Sequence, residues 1–154
     1  MIRSPHSAEG GWPMDLDNPA AIHRMVQLFY ASLLDDPVME PVFMQVAGVH
    51  LAEHLPMIEG YWCKMLLGKD TYHRNMVYRH ERVHDKFPLS REHFELWFDH
   101  FNHTLDHYFE GPYTEKARKL ARRILRNLAR WLAVRDEELA QAVKDVADQP
   151  ARPG

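Results

Sequence analysis

Residues 18–34 read NPAAIHRMVQLFYASLL, and the spacing within them decides the fold class. Asn18 offers a side-chain acceptor to an exposed helix N-terminus, and Pro19 takes the first helical position, where a missing N–H costs nothing. Ile22, Met25, Val26, Phe29, Tyr30, Leu33 and Leu34 then recur at intervals of three and four, which predicts one amphipathic helix ended by Asp36-Pro37. The same period returns downstream. A short helical turn is expected from Glu40 to Val46, closed near Gly48. From His50 the apolar positions Leu51, Leu55, Ile58, Tyr61, Trp62, Met65 and Leu66 predict a second helix, stopped by Gly68. Residues 69–75 read as a loop and residues 76–84 as one short helix before Phe87-Pro88.

Ser90 reads as the cap of a helix whose stripe is Phe94, Trp97, Phe98, Phe101, Leu105 and Tyr108, ending at Gly111-Pro112. Thr114 reads as the cap of a longer one, with Ala117, Leu120, Ala121, Ile124, Leu125, Leu128, Trp131 and Leu132 inward. Residues 136–146 read as a final short helix. Strict two-residue alternation is absent, so the fold class is all-α. Residues 1–17, with Ser4-Pro5, Gly10-Gly11 and Trp12-Pro13 and no periodicity, are expected to form a flexible arm, and 149–154 a tail. Residues 18–148 form the helical domain between them.

The chain has 154 residues, enough for one ordinary core, and its hydrophobic content of 45% with 27% charged residues suits a folded domain. Net charge is −3, and the one basic run, Lys116 to Arg130, alternates with apolar residues as a solvated helix face does, so no nucleic acid is expected as partner. No apolar stretch approaches the length of a membrane span or signal peptide, so no membrane is expected either. A single cysteine, Cys63, excludes an internal disulfide and suits a reducing compartment, the cytoplasm by default. The conspicuous figures are 11 His, 8 Met, 4 Trp, 6 Tyr and 7 Phe. Such a ring-rich chain suits a flat apolar ligand without naming one.

Four histidines, His93, His100, His103 and His107, crowd one helix and suggest a metal cluster. Helical projection sets them about 100° to 180° from Phe94, on the solvent side, where no second helix completes a coordination shell. His54 projects instead within about 40° of the centre of an apolar face. It is either a core histidine bonded to a carbonyl or a polar group aimed into a ligand pocket. His80 lies between Val77 and Val83 with His84 one turn on. The two could form a zinc pair, though the Glu of a His-Glu-x-x-His site is absent, or His80 alone could be an axial ligand to haem iron. Tyr30 shares an inward face with Phe29 and is either core lining or a buried donor.

In order, Phe29-Tyr30, Asp36-Pro37, Pro41-Val42-Phe43, His54-Leu55-Pro56-Met57, Tyr61-Trp62, Leu66-Leu67-Gly68, Tyr72, Tyr78-Arg79-His80 and His93-Phe94-Glu95-Leu96-Trp97-Phe98 resemble the group III truncated haemoglobins, over residues 22–132. The glycine pairs of the other truncated groups are missing. The resemblance implies a two-over-two helical sandwich around a haem pocket, with haem b as cofactor and residues 18–148 as the globin domain. It implies that His80 is the proximal iron ligand and that Tyr30 and Trp97 stand on the distal side as hydrogen-bond donors, with His54 at the distal histidine position. Phe43 is implied to pack on the haem, Trp62 to form a pocket wall, and Phe29 to belong to the cofactor-binding set. Arg79, beside the proximal ligand, suits a haem propionate by charge. Oxygen, nitric oxide, carbon monoxide and cyanide follow as ligands, with slow release expected from so polar a distal side. Nitric oxide dioxygenation or peroxidase-like chemistry, served by a reductase, follows as the enzyme reading. Two departures stand out: Tyr72 is followed by His73-Arg74-Asn75-Met76 instead of a Gly-x-Pro pattern, and Leu51 stands where many members have tryptophan. The competing reading is a non-haem helical bundle that binds metal through its histidines or presents them to a partner.

Overall fold

The computed structural model describes residues 13–42, 51–69, 89–133 and 136–149, with side chains from residue 55 onward in the second stretch. The loop and short helix expected over 69–84 therefore lie almost wholly outside the described residues, as do Phe43, Arg79 and His80 and the side chain of His54.

Five helices follow in order: α1 Pro19–Leu34, α2 Leu51–Leu67, α3 Arg91–Tyr108, α4 Pro112–Leu132 and α5 Glu137–Asp148. The all-α expectation holds, with no strand among the described residues. In α1 the Asn18 carboxamide accepts from Ala21 N–H at 2.9 Å with Pro19 at the first position. The stripe read from sequence is the buried one: Ile22, Met25, Val26 and Leu33 are fully buried and Phe29 and Tyr30 nearly so. α2 tolerates Pro56 at the cost of one backbone bond and ends at Gly68, whose φ of +72° is the left-handed conformation that favours glycine in a helix stop. α5 starts from Asp136, which accepts from Leu139 N–H at 3.0 Å, and runs to Asp148, two residues further than expected.

Three local expectations need correction. Thr114 does not cap α4, because the helix begins two residues earlier at Pro112. The cap comes from Asp15, whose carboxylate accepts from Thr114 N–H at 2.7 Å, Thr114 Oγ at 2.9 Å and Tyr113 N–H at 3.2 Å. For the same reason residues 13–17 are seated on the domain and do not hang as an arm: Leu16 is fully buried, and Met14 exchanges backbone hydrogen bonds with Tyr108 and Glu110. Trp131, placed inward by its spacing, is 37% exposed in the last turn of α4.

α1 packs against α2 and α3, while α4 lies along α5 and α3 touches both. One continuous core results, with Phe29, Phe101, Leu105 and Leu125 at its centre and Val143, Val146 and Ala147 closing the α5 side.

Candidate functional site

The crossing of α1, α2 and α3 is built from rings. Phe101 is fully buried. Trp97 stacks parallel to it at 5.7 Å and Trp62 at 5.1 Å, while Phe29 meets it edge-on at 5.2 Å. Phe29 also meets Trp97 at 5.6 Å and Tyr30 at 5.4 Å, both in T-shaped geometry. Offset-stacked and edge-to-face contacts are the preferred ring arrangements, so the five rings attract one another across the three helices. Phe101 came from the sequence only as one member of a stripe. Nothing in its spacing marks it as the ring that joins three helices.

The cluster has a polar rim. Tyr30 is 8% exposed, and burial pushes its hydroxyl well above the usual tyrosine range. It stays protonated at any ordinary pH and so keeps a proton it can donate. Trp97, half-buried on α3 across Phe29 from it, carries an indole N–H, which only donates. Along α2 the large apolar side chains Leu55, Ile58, Tyr61 and Met65 recur on one side, packed against the core yet only half-buried. Trp62, on the adjacent face, is 3% exposed and belongs to the core stack. Cys63 is buried beside it, its thiol pushed up by burial and by the Glu59 charge, which makes it unreactive.

The histidines of α3 divide in two. His103 and His107 face solvent as expected, and His93 caps its own helix by accepting from Ser90 N–H at 2.9 Å. His100 departs from the solvent-face assignment. It is half-buried, with Nε2 2.7 Å from Asp36 Oδ2 and Nδ1 2.5 Å from Ser32 Oγ. Helical projection set it on the polar side of α3, but α1 and the turn after it supply partners there that one helix's periodicity does not reveal. No group of three or more metal-ligating side chains exists among the described residues. The buried Arg118 is held by Asn102 at 2.8 Å, Asp106 at 2.8 Å and Glu115 at 3.1 Å, a satisfied structural network.

An all-helical domain with a ring-built core, two donor side chains beside it and a half-covered apolar helix face has the mix of apolar surface and few polar groups that ligand sites use. The family profile for bacterial-like globins matches residues 16–134, and the chain belongs to that family. It is similar to the Campylobacter jejuni protein described as group 3 truncated hemoglobin ctb, at 28% identity over 92 residues, which are 58% of this chain and 70% of that one. The crystal structure of a group III truncated haemoglobin from Campylobacter jejuni superposes with a TM-score of 0.64 at 21% identity, covering 88% of this chain and 97% of that one. The fold is the truncated globin fold. Family membership carries with it a haem cofactor and the binding of small diatomic ligands such as oxygen.

The described residues fit such a group. A porphyrin needs apolar surface beside it, and the half-buried row Leu55, Ile58, Tyr61 and Met65 offers that on α2. A polar ligand bound at its centre needs donors, and Tyr30 and Trp97 are donors in a largely dry setting. No helix of the described residues is long and apolar enough to cross a membrane.

Proposed function

We propose that this chain is a cytoplasmic haem b protein in which His80 holds the iron and Tyr30, His54 and Trp97 receive a small ligand on the opposite side. The carrying observation is the pair of donors set across Phe29, the Tyr30 hydroxyl kept protonated by burial and the Trp97 indole half-buried beside the stack. When bound, haem supplies an iron with one open coordination position that takes up oxygen, nitric oxide, carbon monoxide or cyanide. Phe29, Phe43 and Trp62 line the pocket in this reading, and the positive charge of Arg79 suits a propionate.

Hydrogen bonds to a ligand that carries negative charge are the stronger kind, and a phenol and an indole N–H can both donate them. Tyr30 and Trp97 therefore retain such a ligand and slow its release. Reversible binding is the reading these residues support best, since neither a buried protonated phenol nor an indole is a base that could move protons during turnover. Nitric oxide dioxygenation and peroxidase-like turnover need, in addition, a reductase to return the protein to its starting state.

The visible spectrum of the purified protein tests the assignment. A strong haem band is expected in the wild type, and His80→Ala should lose it or convert it to a species restored by added imidazole. A colourless wild type would favour the histidine-metal bundle, and a band identical in His80→Ala would remove the proximal assignment.

A further inference from the structure

The Asp36–His100–Ser32 chain lies outside everything used so far, yet it spans the same helix crossing as the two donors. Asp36 Oδ2 accepts from the His100 ring at 2.7 Å, which places a proton on Nε2, and Nδ1 is hydrogen-bonded to the Ser32 hydroxyl at 2.5 Å. The other carboxylate oxygen accepts from Val38 N–H at 2.8 Å and from Met39 N–H at 3.4 Å. Both oxygens are thus occupied, one by the turn that follows α1 and one by α3. The side chains of His100 and Asp36 are only 21% and 14% exposed, so the bridge is shielded from competing water.

Its place along the two helices gives it consequence. Ser32 follows Tyr30 by two residues on α1, and His100 follows Trp97 by three on α3, a separation of about 3 to 4.5 Å at the helical rise. Inside the crossing Phe29 meets Trp97 and Phe101 edge-on. Ring contacts tolerate sliding, because their energy varies gently with offset, whereas a hydrogen bond weakens steeply once distance or angle is lost. The rings supply attraction, and the polar chain sets the register of one helix against the other.

Resting on the proposed distal role of Tyr30 and Trp97, we infer that Asp36, His100 and Ser32 form a positioning clamp that holds these two donors at the separation a small ligand requires. A donor displaced by about 1 Å forfeits most of its hydrogen bond, so the clamp controls ligand retention without touching the ligand.

The test compares His100→Leu, which removes both bonds, with His100→Gln, whose amide can donate to Asp36 and accept from Ser32. Three readouts are needed: oxygen release rate, the C–O stretching frequency of the carbon monoxide complex, and the 19F resonance of 5-fluorotryptophan at position 97 in haem-free protein. His100→Leu should release oxygen about five- to tenfold faster and shift both spectroscopic signals, and His100→Gln should return all three toward wild type. Arg118→Leu, which breaks the other buried polar network, serves as the control. If it speeds release as much at a similar loss of melting temperature, general loosening explains the effect and the clamp is overturned. If Tyr30→Phe speeds release and His100→Leu does not, the clamp fails while the distal reading stands. If neither changes release, the distal reading falls, and an unmoved Trp97 resonance in His100→Leu overturns the clamp as well. Should His100→Leu not fold, Ser32→Ala breaks one of its bonds and is read in the same way.

Discussion

Phe101 is fully buried with Trp97 and Trp62 on its two faces and Phe29 at its edge. Removing its ring leaves a cavity walled by three other rings that cannot collapse into it, because each is held by its own helix. Phe101→Ala should therefore cost about 3–5 kcal/mol, near the upper end for a large-to-small core change, as read from the urea midpoint with the slope unchanged. A loss under about 1 kcal/mol would mean that the cluster relaxes and does not orient its members. At the same scale, Arg118 shows how a buried charge is tolerated. Burial works against its ionised form, but the bonds from Glu115 and Asp106 outweigh that, and its pKa is raised.

The helices differ in where their ends come from. α1 and α3 are capped by the residue directly before them, Asn18 and Ser90, as their local patterns indicate, and α5 by Asp136, which its spacing alone includes in the helix. α4 is capped by Asp15, almost a hundred residues earlier, and the nearby Thr114 donates to that cap with its N–H and hydroxyl. Gly111 completes the junction. Its φ is +136°, and a Cβ there would lie 2.5 Å from the Asp15 carboxyl carbon, so both conformation and space demand glycine. Asp15→Ala should cost about 1 kcal/mol, the usual worth of a side-chain cap. Burial raises the Asp15 pKa, but the hydroxyl of Thr114 and the N–H groups of Tyr113, Thr114 and Leu16 lower it by more, so the folded value is depressed. Its stabilisation is therefore present above the unfolded carboxylate pKa of about 3.9 and is lost as pH falls through the folded value. Thermal unfolding of wild type and Asp15→Ala should differ at pH 6 and converge in strong acid. A gap that persists in acid would show that the carboxylate's charge is not what caps the helix.

Across the whole molecule, α5 begins beyond residue 134, where the match to the bacterial-like globins ends, and yet buries Leu139, Ala140, Val143, Val146 and Ala147 against α3 and α4. Removing residues 137–154 should expose those faces at a cost on the order of 5 kcal/mol, a large part of a domain's stability, with a lowered melting temperature and new binding of an apolar dye. A melting temperature within about 2 °C of wild type would show that α5 is an accessory. Spacing within single segments was enough to place the five described helices in order and, apart from positions such as Trp131 and His100, to mark their apolar faces. Inward faces and family resemblance named Tyr30, His54, Trp62, Trp97 and His80 as candidates for a pocket, and of these the described side chains place Tyr30, Trp62 and Trp97 in or beside one ring cluster. What joins the helices emerges only when they pack: Phe101 as the shared ring, Asp15 as a borrowed cap, and His100 as a bridge where a solvent face was expected. Periodicity reports which side of a helix is apolar. It carries no information about which neighbour arrives there, and those three roles depend on residues brought together from distant parts of the chain.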